Sequence, residues 1–340
     1  MPKDHRAHIH GKRKKSGGKA SEVETKGSGS YAEMLSEYTN KGEVGMTEYI
    51  ETEDATAEKI KELATLIRES KYTVIILYTG IAEIYLISIY TVIYTGAGIS
   101  TSAGIPDFRG PNGVWTCEKR GTKHPEGKAW EDTKPTLTHL AINLLHEKGF
   151  VKALISQNVD GLHLRSGFPR DCLSELHGNI FMEKCERCFA EYLRSSPIKS
   201  VGLKLTGRRC SKMRITRGRE VGCRGRLRDT TLDWEDMLPE PDFSRANYHS
   251  EKSMLSITLG TSLQIKPACE MPTYGRRKNN KNAKLVVVNL QKTPYDSEAC
   301  LVIHARVDNV MKGLLGELGM KVDPSDPLPP LEKQEKRETL

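Results

Sequence analysis

The chain has 340 residues, of which 37% are hydrophobic and 28% charged, with a net charge of +8. That length holds one large domain or two modest ones, and the composition supports a buried core while excluding a collagen, a coiled coil and a disulfide miniprotein. Residues 1–30 carry eight cations against three anions, so the basicity belongs mainly to a terminal arm and not to a folded nucleic-acid groove.

The arm has no apolar stretch of the kind a secretory signal needs. Its Lys12-Arg13-Lys14-Lys15 run reads as a nuclear import signal or a phosphate-binding arm, and its Gly/Ser content reads as flexible. Ile60, Leu63, Ala64 and Ile67 follow helical spacing, which predicts an amphipathic helix over 55–69 with Asp54 as its N-cap. Residues 72–94 are apolar and long enough for a bilayer, but Glu83 near the midpoint would cost about 3 kcal/mol there. The Thr, Ile, Val and Tyr content favours strands instead, so no membrane association is expected.

Strands are predicted at 91–94, 151–155, 255–259 and 285–289. A helix is expected over 136–148, with Leu137, Leu140, Ala141, Leu144 and Leu145 inward and Gly149 just past its end. Asp308 is expected to cap a last helix carrying Val310, Met311, Leu314 and Leu315, and the Pro-rich tail 323–340 reads as disordered. Strands alternating with helices argue for an α/β fold, a Rossmann-like doubly wound parallel sheet. Each predicted strand ends in a polar loop, and in such sheets ligands bind outside the strands' carboxyl ends. The four loops, Gly96-Ala97-Gly98, Gln157-Asn158-Val159-Asp160, Gly260-Thr261-Ser262 and Asn289-Leu290-Gln291, should therefore face one crevice.

The pattern breaks within 181–229, which holds four of the eight cysteines and reads as an inserted module. Cys185 and Cys188 form a knuckle that can place two thiolates on one zinc. Cys210 and Cys223 lack that spacing, so spacing alone leaves zinc and disulfides both open.

The glycine loop by itself is weak evidence, since turns need glycine for backbone reasons alone. No second strand ending in an acid lies at the distance a nicotinamide dehydrogenase requires, because Glu118 comes after Pro106-Asp107-Phe108-Arg109-Gly110-Pro111. The loop gains meaning from its downstream motifs: Gly104-Ile105-Pro106-Asp107-Phe108-Arg109, then Gln157-Asn158-Val159-Asp160, then His177-Gly178-Asn179. This series resembles the sirtuin family of NAD-dependent protein deacylases. Gly113-Val114-Trp115, Leu232-Asp233-Trp234-Glu235-Asp236 and Val288-Asn289-Leu290-Gln291 are similar to its nuclear, class IV branch containing sirtuins six and seven, most like six. The resemblance spans residues 31–322.

It implies a catalytic domain formed by 31–180 and 230–322, in which NAD is a co-substrate. An acyl-lysine oxygen would displace nicotinamide from the ribose, and a base would activate a ribose hydroxyl, releasing lysine and O-acyl-ADP-ribose. His177 holds the family's catalytic position, and an imidazole titrates in the range such a base needs. Asn158 and Asp160 match residues on the ribose and nicotinamide side, where an amide and a carboxylate supply donors and acceptors. Gly96, Ala97, Gly98, Ser100, Thr101, Asp107, Phe108, Arg109, Trp115, Gln157, Gly260, Thr261, Ser262, Asn289, Gln291 and Val307 match other NAD contacts. The branch also separates its third and fourth metal ligands by a basic loop like 211–222, which implies structural zinc on Cys185, Cys188, Cys210 and Cys223.

The implied partners are acylated lysine peptides, histone tails among them. Chromatin or nucleic acid would be touched through peripheral basic segments such as Arg276-Arg277-Lys278, in the nucleus. Two alternatives use other outcomes of the same residues: protein mono-ADP-ribosyl transfer, or a zinc-containing chromatin scaffold whose site is impaired.

The second of these arises from a departure. Residues 76–90 stand where the family runs directly into the strand before the glycine loop, and Tyr78-Thr79-Gly80 echoes Tyr94-Thr95-Gly96. Two copies cannot fill one strand position. The second is expected to do so because it is joined to the intact loop.

Overall fold

The structure is a computed structural model. It describes residues 31–69, 74–78, 81–85 and 90–323, with Ser325 and Leu328 beyond them. The basic arm and nearly all of the tail lie outside the described residues, as do the expectations placed on them.

Six strands form the main sheet: β1 (Thr91–Thr95), β2 (Ala153–Ser156), β3 (Leu173–Glu175), β4 (Leu255–Leu259), β5 (Lys284–Val288) and β6 (Leu301–Ile303). Their order is β3-β2-β1-β4-β5-β6 and every neighbouring pair is parallel. The apolar runs of β1 and β4 are buried along their whole length, as strands covered on both faces must be. Their side chains alternate between two layers. Val92 and Tyr94 pack with Ala153, Ile155, Ala246 and Met271, whereas Ile93 packs with Leu154, Ile257 and Val286. The order reverses between β1 and β4, which opens a crevice at their carboxyl ends.

Helices cover both faces: α1 (Glu53–Glu69), α2 (Val114–Arg120), α3 (Leu137–Glu147), α4 (Asp242–Lys252) and α5 (Val307–Glu317). The apolar stripes of α1, α3 and α5 share one core with the sheet, while Ala246 of α4 packs on the opposite face. Three local expectations are corrected. Asp54 lies inside the first turn of α1, and Thr52 precedes the helix with its hydroxyl 3.4 Å from the Ala55 amide. The buried face of α3 runs through His139, Ala141, Ile142 and Leu145; Leu137 and Leu144 pack half-buried against the same core as expected, while Leu140 is half-buried outside that cluster. Asp308 is within α5, and its carboxylate ties two other segments: it accepts from Ser102 (2.6 Å) and from the Thr138 amide (3.0 Å).

The echoed segment resolves as expected. The 91–95 copy holds the central position, and Val74–Tyr78 pairs antiparallel with Ile81–Tyr85 in a separate two-stranded sheet. The hairpin therefore begins before residue 76. Tyr90 belongs to the domain, since its carbonyl accepts the Met254 amide (2.8 Å) and its hydroxyl meets His249 Nδ1 at 2.5 Å. Among the described residues no helix is long and apolar enough to cross a membrane.

Between β3 and α4 the chain builds a smaller antiparallel sheet. Glu191–Leu193, Met182–Cys185, Arg226–Asp229 and Leu205–Arg209 lie side by side in that order, and a hairpin of Met213–Thr216 and Arg219–Gly222 projects from it.

Candidate active site

The crevice is a cavity of about 550 Å³ at the switch between β1 and β4, and all four strand-end loops line it. The loops after β1 and β4 touch: the Gly98 amide donates to Gly260 O (2.9 Å), and a Cβ at Gly98 would stand 2.8 Å from Gly260 Cα. Glycine is required there by the close approach of two backbones, a reason that is legible only in three dimensions.

Of the residues expected to contact a dinucleotide, all but Ser100 and Asp160 line this cavity. Those two lie beneath it. The Ser100 hydroxyl donates to Asp160 Oδ2 at 2.7 Å and the Leu162 amide to Oδ1 at 2.9 Å, so Asp160 braces the glycine loop from below. Burial pushes its carboxyl upward, against the lowering effect of those hydrogen bonds. Asn158 sits between floor and cavity, with Nδ2 donating to Gly96 O at 3.1 Å.

His177 reaches the cavity from the loop after β3. Its Nδ1 is 2.9 Å from Gln157 O. A carbonyl only accepts, so the proton resides on Nδ1 and Nε2 keeps its lone pair. Burial and the nearby Arg109 cation lower the imidazole to about 4, against the raising effect of the Gln157 bond. The ring is therefore neutral at pH 7, with Nε2 able to accept. Two residues earlier, Glu175 is buried with Asn179 Nδ2 donating to it at 2.8 Å, and burial pushes it up to about 8.

Arg109 supplies the cation of the site. Its guanidinium lies 4.6 Å over the Trp115 ring and its Nε donates to Lys41 O at 3.0 Å. Burial lowers it to about 10, partly offset by Asp107, so it stays charged. Arg109 Nη2 and Trp234 Nε1 are buried donors without a partner among the described residues. A ligand with anionic and acceptor oxygens would satisfy such groups.

Sequence reasoning missed the contributions of Tyr31, Leu35 and Glu48 to the wall, and of Trp234, which stacks on Tyr38 (4.6 Å) and packs on Trp115 (5.1 Å). The 232–236 motif marks the last of these only as a family feature. Tyr31, Leu35, Phe108, Trp115 and Trp234 also line a second cavity of about 840 Å³ next to the first.

In the smaller sheet, the sulfurs of Cys185, Cys188, Cys210 and Cys223 all lie within 4.8 Å of one another. Cys185–Cys223 and Cys188–Cys210 are 3.8 and 3.5 Å apart, and tetrahedral zinc with about 2.3 Å bonds needs sulfurs about 3.8 Å apart. The four thiols fit a closed structural zinc site. Tyr192 supports it: its hydroxyl receives the Ser211 and Lys212 amides (both 3.0 Å) and lies 3.1 Å from Cys210 Sγ, so its own proton is directed at that sulfur.

Sheet order, switch-point crevice and a thiol-built side module together define an α/β protein of the dinucleotide-binding class. Comparison with known proteins narrows this. Residues 122–267 match the Sir2 family. The chain is 45% identical over 295 residues to NAD-dependent protein deacetylase SRT1 of Arabidopsis thaliana, which covers 86% of this chain and 56% of that protein. It is 43% identical over 303 residues to NAD-dependent protein deacetylase Sirt6 of Drosophila melanogaster, covering 87% and 88%. Against the SRT1 proteins of Arabidopsis and rice, the chain spans little more than half of their length, 56% and 55%. A solved structure of Sir2 with a p53 peptide and NAD+ matches with a TM-score of 0.51 at 28% identity, covering 76% of this chain and 98% of that one. This chain belongs to the Sir2 family.

Proposed function

We propose that this chain is an NAD-dependent protein-lysine deacylase that cleaves the bond between nicotinamide and ribose and releases O-acyl-ADP-ribose. The reading is carried by one observation: His177 presents a neutral imidazole, with its Nε2 lone pair free, in a crevice ringed by four strand-end loops. In this assignment His177 is the general base for a ribose hydroxyl, and Asn158 orients the nicotinamide side. Asp160 acts through Ser100 to hold the glycine loop. Arg109, Gln157 and the loops after β4 and β5 hold the diphosphate and adenosine. Zinc supplies no chemistry: four protein ligands leave it no open position, and it would hold the small sheet together.

The relatives' names as deacetylases and the solved Sir2 with acetylated peptide support a lysine side chain as the acyl carrier. The second cavity shares Phe108 and Trp115 with the first, which supports room for acyl chains longer than acetyl. Histone tails as targets and the nucleus as compartment are part of the same proposal, supported by the basic arm and by likeness to Sirt6. The test is incubation with labelled NAD and a panel of acyl-peptides. We expect nicotinamide release that depends on acyl-peptide, with label recovered as O-acyl-ADP-ribose. Label retained on protein would establish ADP-ribosyl transfer instead, and no release would establish the scaffold. His177→Ala should lower O-acyl-ADP-ribose formation about 100-fold or more while leaving thermal unfolding cooperative.

A further inference from the structure

Residues 41–46 run beside Arg109, a wall residue of the crevice, without helix or strand. They are held at Met46 by Gln291, whose Nε2 donates to Met46 O at 2.8 Å, and at Glu43 by the side chain of Gln264, which comes after the loop that ends β4 and does not itself line the cavity. Its amide behaves like a strand neighbour: the Glu43 amide donates to Oε1 at 2.7 Å and Nε2 donates to Glu43 O at 3.2 Å. The contact is close enough to dictate the adjoining residue. Gly42 has φ +74°, and a Cβ there would stand 2.2 Å from Gln264 Oε1 and 3.6 Å from Arg109 Nε.

The strap holds Arg109 in turn. Lys41 O accepts from Arg109 Nε at 3.0 Å, and the Gly45 amide donates to Arg109 O at 2.9 Å. Lys41 Nζ also pairs with Glu118 of α2 at 2.7 Å, fixing the strap's other side. The guanidinium is thereby held 4.6 Å over the Trp115 ring, with Nη2 turned to no protein partner among the described residues.

We infer that Gln264 is a positioning residue that latches the 41–46 strap, so that the cation of the crevice is set in its anion-binding pose before the dinucleotide arrives. The inference rests on the dinucleotide reading of the crevice. Its physical content is preorganisation: unlatched, the strap and Arg109 sample other poses, and apparent affinity falls in proportion to the latched fraction.

Gln264→Ala in the full chain should weaken NAD binding about tenfold without acyl-peptide, as a latched fraction near one tenth requires. At saturating NAD, kcat should stay within about twofold. Gln264→Glu keeps the acceptor for the Glu43 amide but loses the donor to its carbonyl, and should fall between. Gly42→Ala breaks the same contact from the strap and should reproduce the phenotype without touching the sheet. Limited trypsin cleavage after Lys41 should accelerate in both Gln264→Ala and Gly42→Ala. NAD affinity unchanged in both, or lost kcat with unchanged NAD KM, overturns the latch. If the unaltered protein takes up no NAD, the crevice reading fails instead, and the latch stands or falls on the Lys41 cleavage rate.

Discussion

At His177 the protein uses a backbone carbonyl to choose a tautomer. Donation from Nδ1 to Gln157 O leaves Nε2 as the acceptor, and burial with the Arg109 charge keeps the ring unprotonated. This fixes the sign of the pH effect. A base lowered to about 4 is lost only when pH falls toward that value, not near 6.5. The kcat/KM profile of the free enzyme should therefore stay level from neutral pH down to about 5, and an acid limb centred near 6.5 would contradict it. The Cys185–Cys188 knuckle was legible from spacing, whereas His177, Cys210 and Cys223 became candidates only through the family resemblance of their motifs. The supporting roles of Asp160 and Gln264 were not, since a side chain's partners far away along the chain leave no local mark.

Among the elements, the small sheet and the crevice are joined directly. The strand Arg226–Asp229 runs into Thr230, whose hydroxyl donates to Asn179 O at 3.0 Å, and the Leu232 amide donates to His177 O at 3.1 Å. Gly178 permits this approach: a Cβ there would meet Thr230 O at 1.8 Å. Structural zinc ligation contributes folding free energy outright in small modules. Stripping zinc with a chelator should thus lower the melting temperature and suppress turnover together. Tyr192→Phe, which removes the proton directed at Cys210, should speed zinc loss about tenfold in a chelator competition.

The hairpin before β1 is the other informative element. Tyr72-Thr73-Val74-Ile75 recurs as Tyr90-Thr91-Val92-Ile93, so deleting 72–89 rejoins the chain without altering the strand that enters the sheet. That variant, which keeps the packed Tyr90, should retain NAD turnover within about twofold and give more soluble protein. Loss of turnover in a folded deletion would show that the hairpin serves the site. The echo was visible in the sequence. That one copy lies outside the main sheet was decided by the ladder, which has a single place between β2 and β4.

Across the whole molecule the positive surface differs from the expectation. Arg276 and Arg277 share Glu298 and Lys278 pairs with Glu251, so two carboxylates offset most of the charge of that basic segment. Arg214, Arg217 and Arg219 on the projecting hairpin are exposed and enter no ion pair among the described residues, beside the exposed Met213 and Ile215. Any chromatin contact of the kind proposed would find its unpaired cations there. Replacing the three arginines with glutamate should weaken binding to chromatin fragments and flatten its salt dependence by about one unit per phosphate contact removed. Turnover on a free acyl-peptide should be unaffected.

Sequence alone determined the α/β class, the four strand-end loops and the Cys185–Cys188 knuckle, because each rests on short-range pattern: strand period, turn glycines, motif spacing; the histidine and the second pair of thiols were picked out only by the family resemblance. Tertiary structure decided which echoed segment enters the sheet, which basic run stays free, that Asp160 lies under the crevice, and that Gln264 and the 41–46 strap hold Arg109. These depend on which distant groups are brought within hydrogen-bonding reach, and that is a property of the folded chain and not of any window along it.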